Sequence, residues 1–325
     1  MKFFRDERAG AVVMLFAACI GFALLNFGIF SDELTQFRNV SWIWVSQISM
    51  ALFFALIGFE LRNEFASGLF ANSKAVIVPA TAALVGVIVP ALVYVTIALA
   101  AGASSQILAG WPMVTATDVS FALMAFSLLA RGLPKQLRVF LLSFAVIDDI
   151  LASVALAFGF WRADALTPLI ATAVAMGVAF SLPAKRVQSV IAWLSPVVAF
   201  IVLPVFAFFA MQIRFDATSL FVGSGTILTL LFFSRPLAKW MGVYLGSLIG
   251  NRLVSKDARL SISSSDFARV SSLAGIGFVV SLLAADLTFG SASHDYAVAA
   301  TMTVVVSLVS AFLAAIALKV RRVAK

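Results

Sequence analysis

Two aspartates, Asp148 and Asp149, stand side by side in an apolar run that extends from about Val139 to Phe160. The run is long enough to cross a bilayer as a helix. One ionised carboxylate at that depth costs at least about 2.5–3.5 kcal/mol on insertion scales, so an intramembrane acid points either to function or to a paired charge. A structural ion pair accounts for one of the two but serves both poorly, because adjacent helical residues point about 100° apart. The fold must give these carboxylates a cation, a water-filled cavity or a task.

The remainder of the chain fits that setting. Of its 325 residues, 62% are hydrophobic and 12% charged, about half the charged share of a soluble domain. Ten apolar spans are expected, at about 11–30, 43–60, 76–101, 111–130, 139–160, 167–183, 193–211, 219–246, 266–288 and 297–318. The first follows Lys2, Arg5 and Arg8, and its length without a small-residue cleavage site predicts an uncleaved helix rather than a signal peptide. With a cytoplasmic N-terminus, eighteen of the 23 Lys and Arg residues fall on the cytoplasmic side and three, Arg38, Arg162 and Arg214, on the other. Arg235 and Lys239 remain inside the eighth span. This bias predicts an even number of spans with both termini cytoplasmic. It also explains the net charge of +8 without a nucleic-acid partner; the expected surroundings are membrane lipid. The one cysteine, Cys19, excludes an internal disulfide and a multi-cysteine metal site, and the one histidine, His294 in a short polar break, excludes a two-histidine zinc site. Loops are short, so 1–325 reads as a single membrane domain.

Two spans are interrupted. Span 4 reads Trp111-Pro-Met-Val-Thr115-Ala-Thr117-Asp118-Val-Ser120, polar at its centre, and span 9 carries Gly275-Ile-Gly277-Phe-Val-Val-Ser281. Each is the middle of a group of three, about 76–160 and about 219–318, and the two groups enter the membrane from opposite sides. Paired interruptions in inverted groups are the sequence pointer to a secondary transporter with its site near the midplane. Gly and Ser also let membrane helices pack closely, and both readings stay open for span 9; Asp118 beside Thr117 favours a break in span 4. Residues 1–60 and 167–211 are then scaffold.

Asp118, Asp148 and Asp149 lie at membrane depth together with Arg235, which is followed by Pro236. Arginine stays protonated at any physiological pH, so one aspartate is expected to pair with it. Two carboxylates remain, free to bind a small hard cation or to take up protons, with Thr117 and loosened backbone carbonyls as further oxygen ligands. A cation and protons competing for the same carboxylates are the minimum machinery of an antiporter. Glu60 and Glu64, one helical turn apart at the cytoplasmic end of span 2, read either as a solvated helix end or as a cytoplasmic funnel that gathers cations and senses pH.

At these residues the chain resembles the NhaA family of bacterial sodium/proton antiporters. The stretches that carry the resemblance are Ala51-Leu-Phe-Phe-Ala-Leu-Ile-Gly-Phe-Glu60-Leu-Arg-Asn-Glu64, Thr115-Ala-Thr-Asp118-Val-Ser-Phe-Ala-Leu, Phe144-Ala-Val-Ile-Asp-Asp149, Ser234-Arg-Pro-Leu and Gly275-Ile-Gly-Phe278. The resemblance implies an all-α membrane protein of about ten transmembrane helices, with two inverted three-helix repeats whose middle helices unwind and cross. It implies that Asp149 is the central ion- and proton-binding residue, with Asp118 and Thr117 beside it, that Gly275 and Gly277 lie in an unwound segment, and that Glu60 and Glu64 respond to pH. Sodium or lithium and protons would be the transported ions, with no cofactor, in the cytoplasmic membrane of a bacterium.

Three departures qualify it. The family's lysine in its Gly-Lys-Pro-Leu segment is Arg235 here, which predicts a fixed Asp148–Arg235 pair, proton exchange through Asp149 and Asp118, and fewer protons per sodium. Two of the family's twelve spans are missing after span 5. The loop between spans 1 and 2 is too short for the family's dimer-forming hairpin, so the homodimer that the resemblance implies is weakened. The competing readings are an ion-binding protein that no longer transports and a sodium-coupled symporter. An intramembrane aspartyl protease needs a Gly-x-Gly-Asp setting, whereas Gly275-Ile-Gly277 is followed by Phe278.

Overall fold

The computed structural model describes residues 7–28, 73–130, 133–160, 180–212, 225–290 and 293–319, with scattered positions between 36 and 66 and between 170 and 178. Its regular elements among these residues are all helical, the expected outcome for segments in lipid, where each backbone polar group must be satisfied within its own segment. In chain order they are α1 (Glu7–Asn26), α2 (Ile77–Ala100), α3 (Val119–Leu129), α4 (Lys135–Phe160), α5 (Ala184–Val197), α6 (Leu203–Ala210), α7 (Gly225–Phe232), α8 (Trp240–Leu253), α9 (Ser264–Ser271), α10 (Val279–Phe289) and α11 (His294–Lys319). A shorter apolar helix covers Ala51–Glu60. Five stretches are long and apolar enough to cross a membrane: Ala9–Asn26, Lys74–Ala100, Trp111–Leu129, Arg186–Ala210 and His294–Lys319. Ser264–Gly275 with Val280–Phe289, bent by 49° at its break, makes a sixth.

Several helices outrun their apolar runs. α4 begins at Lys135 rather than 139, and α11 runs from His294 to Lys319. Long basic side chains at a helix end can lay their stems along apolar surface and keep the charge in the headgroup region. His294, expected in a loop, opens α11 instead.

Contacts divide the chain into two units. The first comprises Met1–Ser73 and Ala163–Arg214. Within it α1 lies against the continuous helix formed by α5, a π-helical stretch at Val198–Val202 and α6. Gly10 and Gly21 allow that approach: a methyl at Gly10 would lie 2.9 Å from the Ala199 Cβ, and one at Gly21 3.2 Å from the Phe208 Cα. Arg62 donates to the Leu182 carbonyl at 3.0 Å.

The second unit comprises Lys74–Arg162 and Phe215–Lys325. Its densest packing joins α2 to α8, and the cause is a stripe of small residues. Gly242, Gly246 and Gly250 recur every four residues, hence on one face of α8. A methyl at Gly242 would lie 2.7 Å from the Val85 carbonyl oxygen, and one at Gly246 2.8 Å from the Ala82 Cα. Small residues let membrane helices meet backbone to backbone, and here Thr81 adds a hydrogen bond to the Gly246 carbonyl at 3.0 Å. A neighbouring stripe of α8, about 100° round the helix, exposes Met241, Leu245, Ile249 and Leu253, an apolar surface suited to lipid.

α7 and α8 form one run joined by a π-helical stretch, Phe233–Lys239, that contains Pro236. Proline has no N–H to give to the carbonyl four residues back, and such an interruption commonly appears as a π turn. α9 starts at a Ser263 cap, whose hydroxyl accepts from Asp266 N at 3.1 Å; α10 stops at Gly290, which takes φ 77 and donates to the Asp286 carbonyl.

Candidate functional site

Both interrupted segments are broken in the structure. After the tight turn Trp111–Val114 the chain leaves helical geometry and resumes only at α3. Asp118 caps that helix: its backbone is extended (φ −78, ψ 105), and its carboxylate accepts from Phe121 N and, at 2.6 Å, from the Ser120 hydroxyl. An acid at a helix N-terminus answers the unpaired N–H groups of the first turn and the positive end of the dipole. The second break follows the tight turn Ser272–Gly275, with extended backbone at Ile276 (φ −81, ψ 118), and ends where α10 begins.

The two breaks satisfy each other. Asp118 N donates to the Ile276 carbonyl at 2.8 Å, and the Thr117 hydroxyl donates to the Ala274 carbonyl at 2.8 Å. The Phe121 and Phe278 rings meet at 4.9 Å. Ser307 on α11 completes the second break, its hydroxyl donating to the Gly277 carbonyl at 2.9 Å and accepting from Gly277 N at 3.3 Å. Glycine is required there by space. A methyl at Gly277 would fall on the Arg235 guanidinium and lie 2.8 Å from the Ala116 carbonyl oxygen; one at Gly275 would lie 2.9 Å from the Ser310 Cβ.

Around this junction sit five buried charged side chains. Asp148, Arg235 and Lys239 are 0% exposed, Asp149 6% and Asp118 8%. Asp148 takes Lys239 Nζ on both carboxylate oxygens, at 2.7 and 2.8 Å, and Thr117 N at 2.9 Å. Lys239 Nζ also donates to the Thr115 carbonyl of the first break. The expected Asp148–Arg235 pair is therefore replaced by Asp148–Lys239. Arg235 donates instead to the Gly277 carbonyl of the second break at 2.5 Å. The reason is the run that carries both: residues four apart lie about a turn apart on one side of a helix, so both bases face inward at different depths, and only the deeper-sequence one reaches Asp148. Asp148 and Asp118 are the acids whose fields act on Arg235.

Asp149 differs from its neighbour. Its Oδ1 is buried without a hydrogen-bond partner among the described residues. The charges that act on it are Asp148, Asp118 and Lys239. A buried carboxylate with an open oxygen, within the field of two further acids, can take a hard cation, which prefers oxygen ligands, or a proton. Among the described residues no group of three or more His, Cys, Asp or Glu is arranged as a metal cage.

Of the residues singled out in the sequence, Asp118, Thr117, Asp148, Asp149, Arg235, Gly275 and Gly277 come together here. Glu60 lies in the first unit, half-buried at the end of the helix Ala51–Glu60, and Glu64 lies outside the described residues. Lys239 and Ser307 were missed. For Lys239 a signal existed: a second base one turn beyond Arg235, inside an apolar span, carries the same cost of burial.

Comparison with known proteins identifies the family. The profile of the family described as Na+/H+ antiporter 1 matches residues 1–196 and 184–318. The chain belongs to this family. Relatives named Na(+)/H(+) antiporter NhaA include one from Aliivibrio fischeri (strain MJ11), 30% identical over 91% of this chain and 90% of the relative. Another, from Vibrio cholerae serotype O1 (strain M66-2), is 30% identical over 90% of each. A third, named Na(+)/H(+) antiporter NhaA 1, from Salinispora tropica, is 32% identical over 85% of this chain and 74% of the relative. The Na+/H+ antiporter 1 family is thus matched along both units, including every element of the buried cluster.

Proposed function

We propose that this protein is a secondary transporter that exchanges cytoplasmic sodium, or lithium, for external protons across a bacterial cytoplasmic membrane. The observation that carries the reading is Asp149: a buried carboxylate with an unpartnered oxygen, set beside an already paired Asp148 at the junction of two broken helices. Cation and proton compete for Asp149, with Asp118 and Thr117 as neighbours in the binding site. Cytoplasmic sodium displaces the proton, and external protons displace sodium once the site faces outward. No resident cofactor has a part in this cycle.

Alternating access would come from two inverted three-helix repeats. Support lies in a pattern that occurs twice: a long helix, a broken segment and a second long helix, as α2, Trp111–Leu129 and α4, then α7–α8, Ser264–Phe289 and α11. The family profile matches in two pieces that overlap at 184–196, as a chain lacking an internal stretch of the usual family length would. Both termini are cytoplasmic in this reading, Glu60 and Glu64 take part in the response to pH, and a homodimer is an assembly that the short loop between spans 1 and 2 weakens.

Everted membrane vesicles test the proposal. Adding sodium or lithium to vesicles holding a respiration-driven proton gradient should release part of that gradient, and Asp149→Asn should abolish the release. A wild-type protein with no response to either ion across alkaline pH contradicts it and leaves the ion-binding, non-transporting reading.

A further inference from the structure

We infer that Ser307 on α11 is a positioning residue for the transported cation: its hydroxyl orients the second break against Asp118 and Thr117 and thereby sets the affinity for sodium. The inference rests on the cation site proposed above and adds to it a residue that does not itself bind the ion.

A buried serine in a helix commonly returns its hydroxyl to a carbonyl one turn back. Ser143, Ser247, Ser271 and Ser310 do so, each to the residue four before it, at 2.6–2.9 Å. Ser307, 1% exposed, donates instead to the Gly277 carbonyl at 2.9 Å and accepts from Gly277 N at 3.3 Å. A hydroxyl both donates and accepts, so one side chain serves both polar groups of one buried residue. The two breaks differ in this respect. The first carries its own cap in Asp118, whereas Phe278, ahead of α10, supplies none. The second break is held from another helix.

The hold reaches the site through a single peptide plane. Gly277 N and the Ile276 carbonyl belong to one planar unit, so fixing one edge orients the other. Ser307 takes the N–H edge, and Asp118 N donates to the carbonyl edge at 2.8 Å. One residue earlier along the break, the Ala274 carbonyl is separated from that plane only by Gly275, and it accepts the Thr117 hydroxyl at 2.8 Å. Asp118 is in turn one of the acids whose field reaches Asp149. Arg235 cannot replace Ser307 here. It donates to the Gly277 carbonyl at 2.5 Å, and a guanidinium has no acceptor for an N–H. Loss of the Ser307 hydroxyl therefore leaves that carbonyl satisfied and releases the edge that faces Asp118.

Two measurements test the inference: sodium-driven proton release in everted vesicles as a function of sodium concentration, and calorimetric sodium binding to the purified protein in detergent. Ser307→Ala should raise both the half-saturating sodium and the Kd about three- to ten-fold, the size of one net hydrogen bond, with the maximum rate kept within about a factor of two. Ser307→Thr keeps the hydroxyl and should restore both values. Ser247→Ala removes a hydroxyl bonded only within its own helix and should leave them unchanged. A purely structural role would lower the maximum rate and leave half-saturation and Kd at the wild-type values, which overturns the inference. A threonine variant shifted as far as the alanine one also overturns it, since volume and not the hydroxyl would then matter. If Ser307→Ala is not recovered folded, Ser307→Cys, with a weaker donor and acceptor, takes its place with the same readings. A wild type that binds sodium and drives no exchange refutes the antiport reading by itself, while the binding comparison still decides on Ser307.

Discussion

The pairing inside the cluster is open to a direct energetic test, because Asp148 has two bases within the field of its carboxylate and hydrogen-bonds only one of them, Lys239. Replace Lys239 by Met. Asp148 then keeps Thr117 N at 2.9 Å and loses two charge-assisted bonds at 0% exposure. Removing one partner of a buried pair costs about 3–5 kcal/mol, since the other charge stays buried and uncompensated. Asp148→Asn in the same background removes that orphan charge, so the double variant should recover much of the loss, a coupling of about 2–3 kcal/mol. The second cycle uses Arg235→Met with Asp148→Asn. Arg235 shares no hydrogen bond with Asp148, and the Gly277 carbonyl keeps the Ser307 hydroxyl, so this coupling should stay below about 1 kcal/mol. The assay is equilibrium unfolding in mixed micelles with rising detergent denaturant, read by tryptophan fluorescence. A larger coupling for Arg235 than for Lys239 would refute the pairing described here.

Two further perturbations follow from close backbone approach. Gly277→Ala should bring its methyl onto the Arg235 guanidinium and the Ala116 carbonyl; overpacking of about 1–3 kcal/mol and loss of sodium-driven proton release in everted vesicles are expected, and an active, stable variant would contradict the tight junction. Gly246→Ala should separate α8 from α2 at a cost of about 1–3 kcal/mol in the same unfolding assay, whereas Gly177→Ala, with nothing within 4 Å of the added methyl, should leave stability unchanged or slightly raised.

Much of this site can be read from residue types, for physical reasons that differ from one residue to the next. Asp148, Asp149 and Asp118 announce themselves because a carboxylate in an apolar run is expensive wherever the run lies. Gly275 and Gly277 are legible either as a break or as close-packing residues, and both readings hold: the backbone leaves helical geometry at Ile276, and Arg235, Ala116 and Ser310 press against the two glycines. The choice between Arg235 and Lys239 as partner of Asp148 was hidden, since it depends on depth along one helix face and not on charge. Ser307 gives no signal at all: a serine in an apolar helix ordinarily bonds back to its own backbone, as Ser310 does to Val306 at 2.8 Å. Its role arises only from the tertiary position of the second break.

The π-helical stretch Phe233–Lys239 draws these pieces together. Unwinding a helix inside a membrane frees carbonyls that lipid cannot satisfy. Here the same stretch supplies a base to each break, Lys239 to the Thr115 carbonyl and Arg235 to the Gly277 carbonyl. Each base thus answers two needs, the freed backbone oxygen and the excess of acids. Pro236 lies between them and removes a helical donor where the turn widens. A transporter site must be polar enough to take an ion and neutral enough, once loaded, to move. In the proposed exchange, two bases on the element that braces both breaks meet both conditions, and Asp149, which no hydrogen bond holds at Oδ1 among the described residues, is the carboxylate left for the ion.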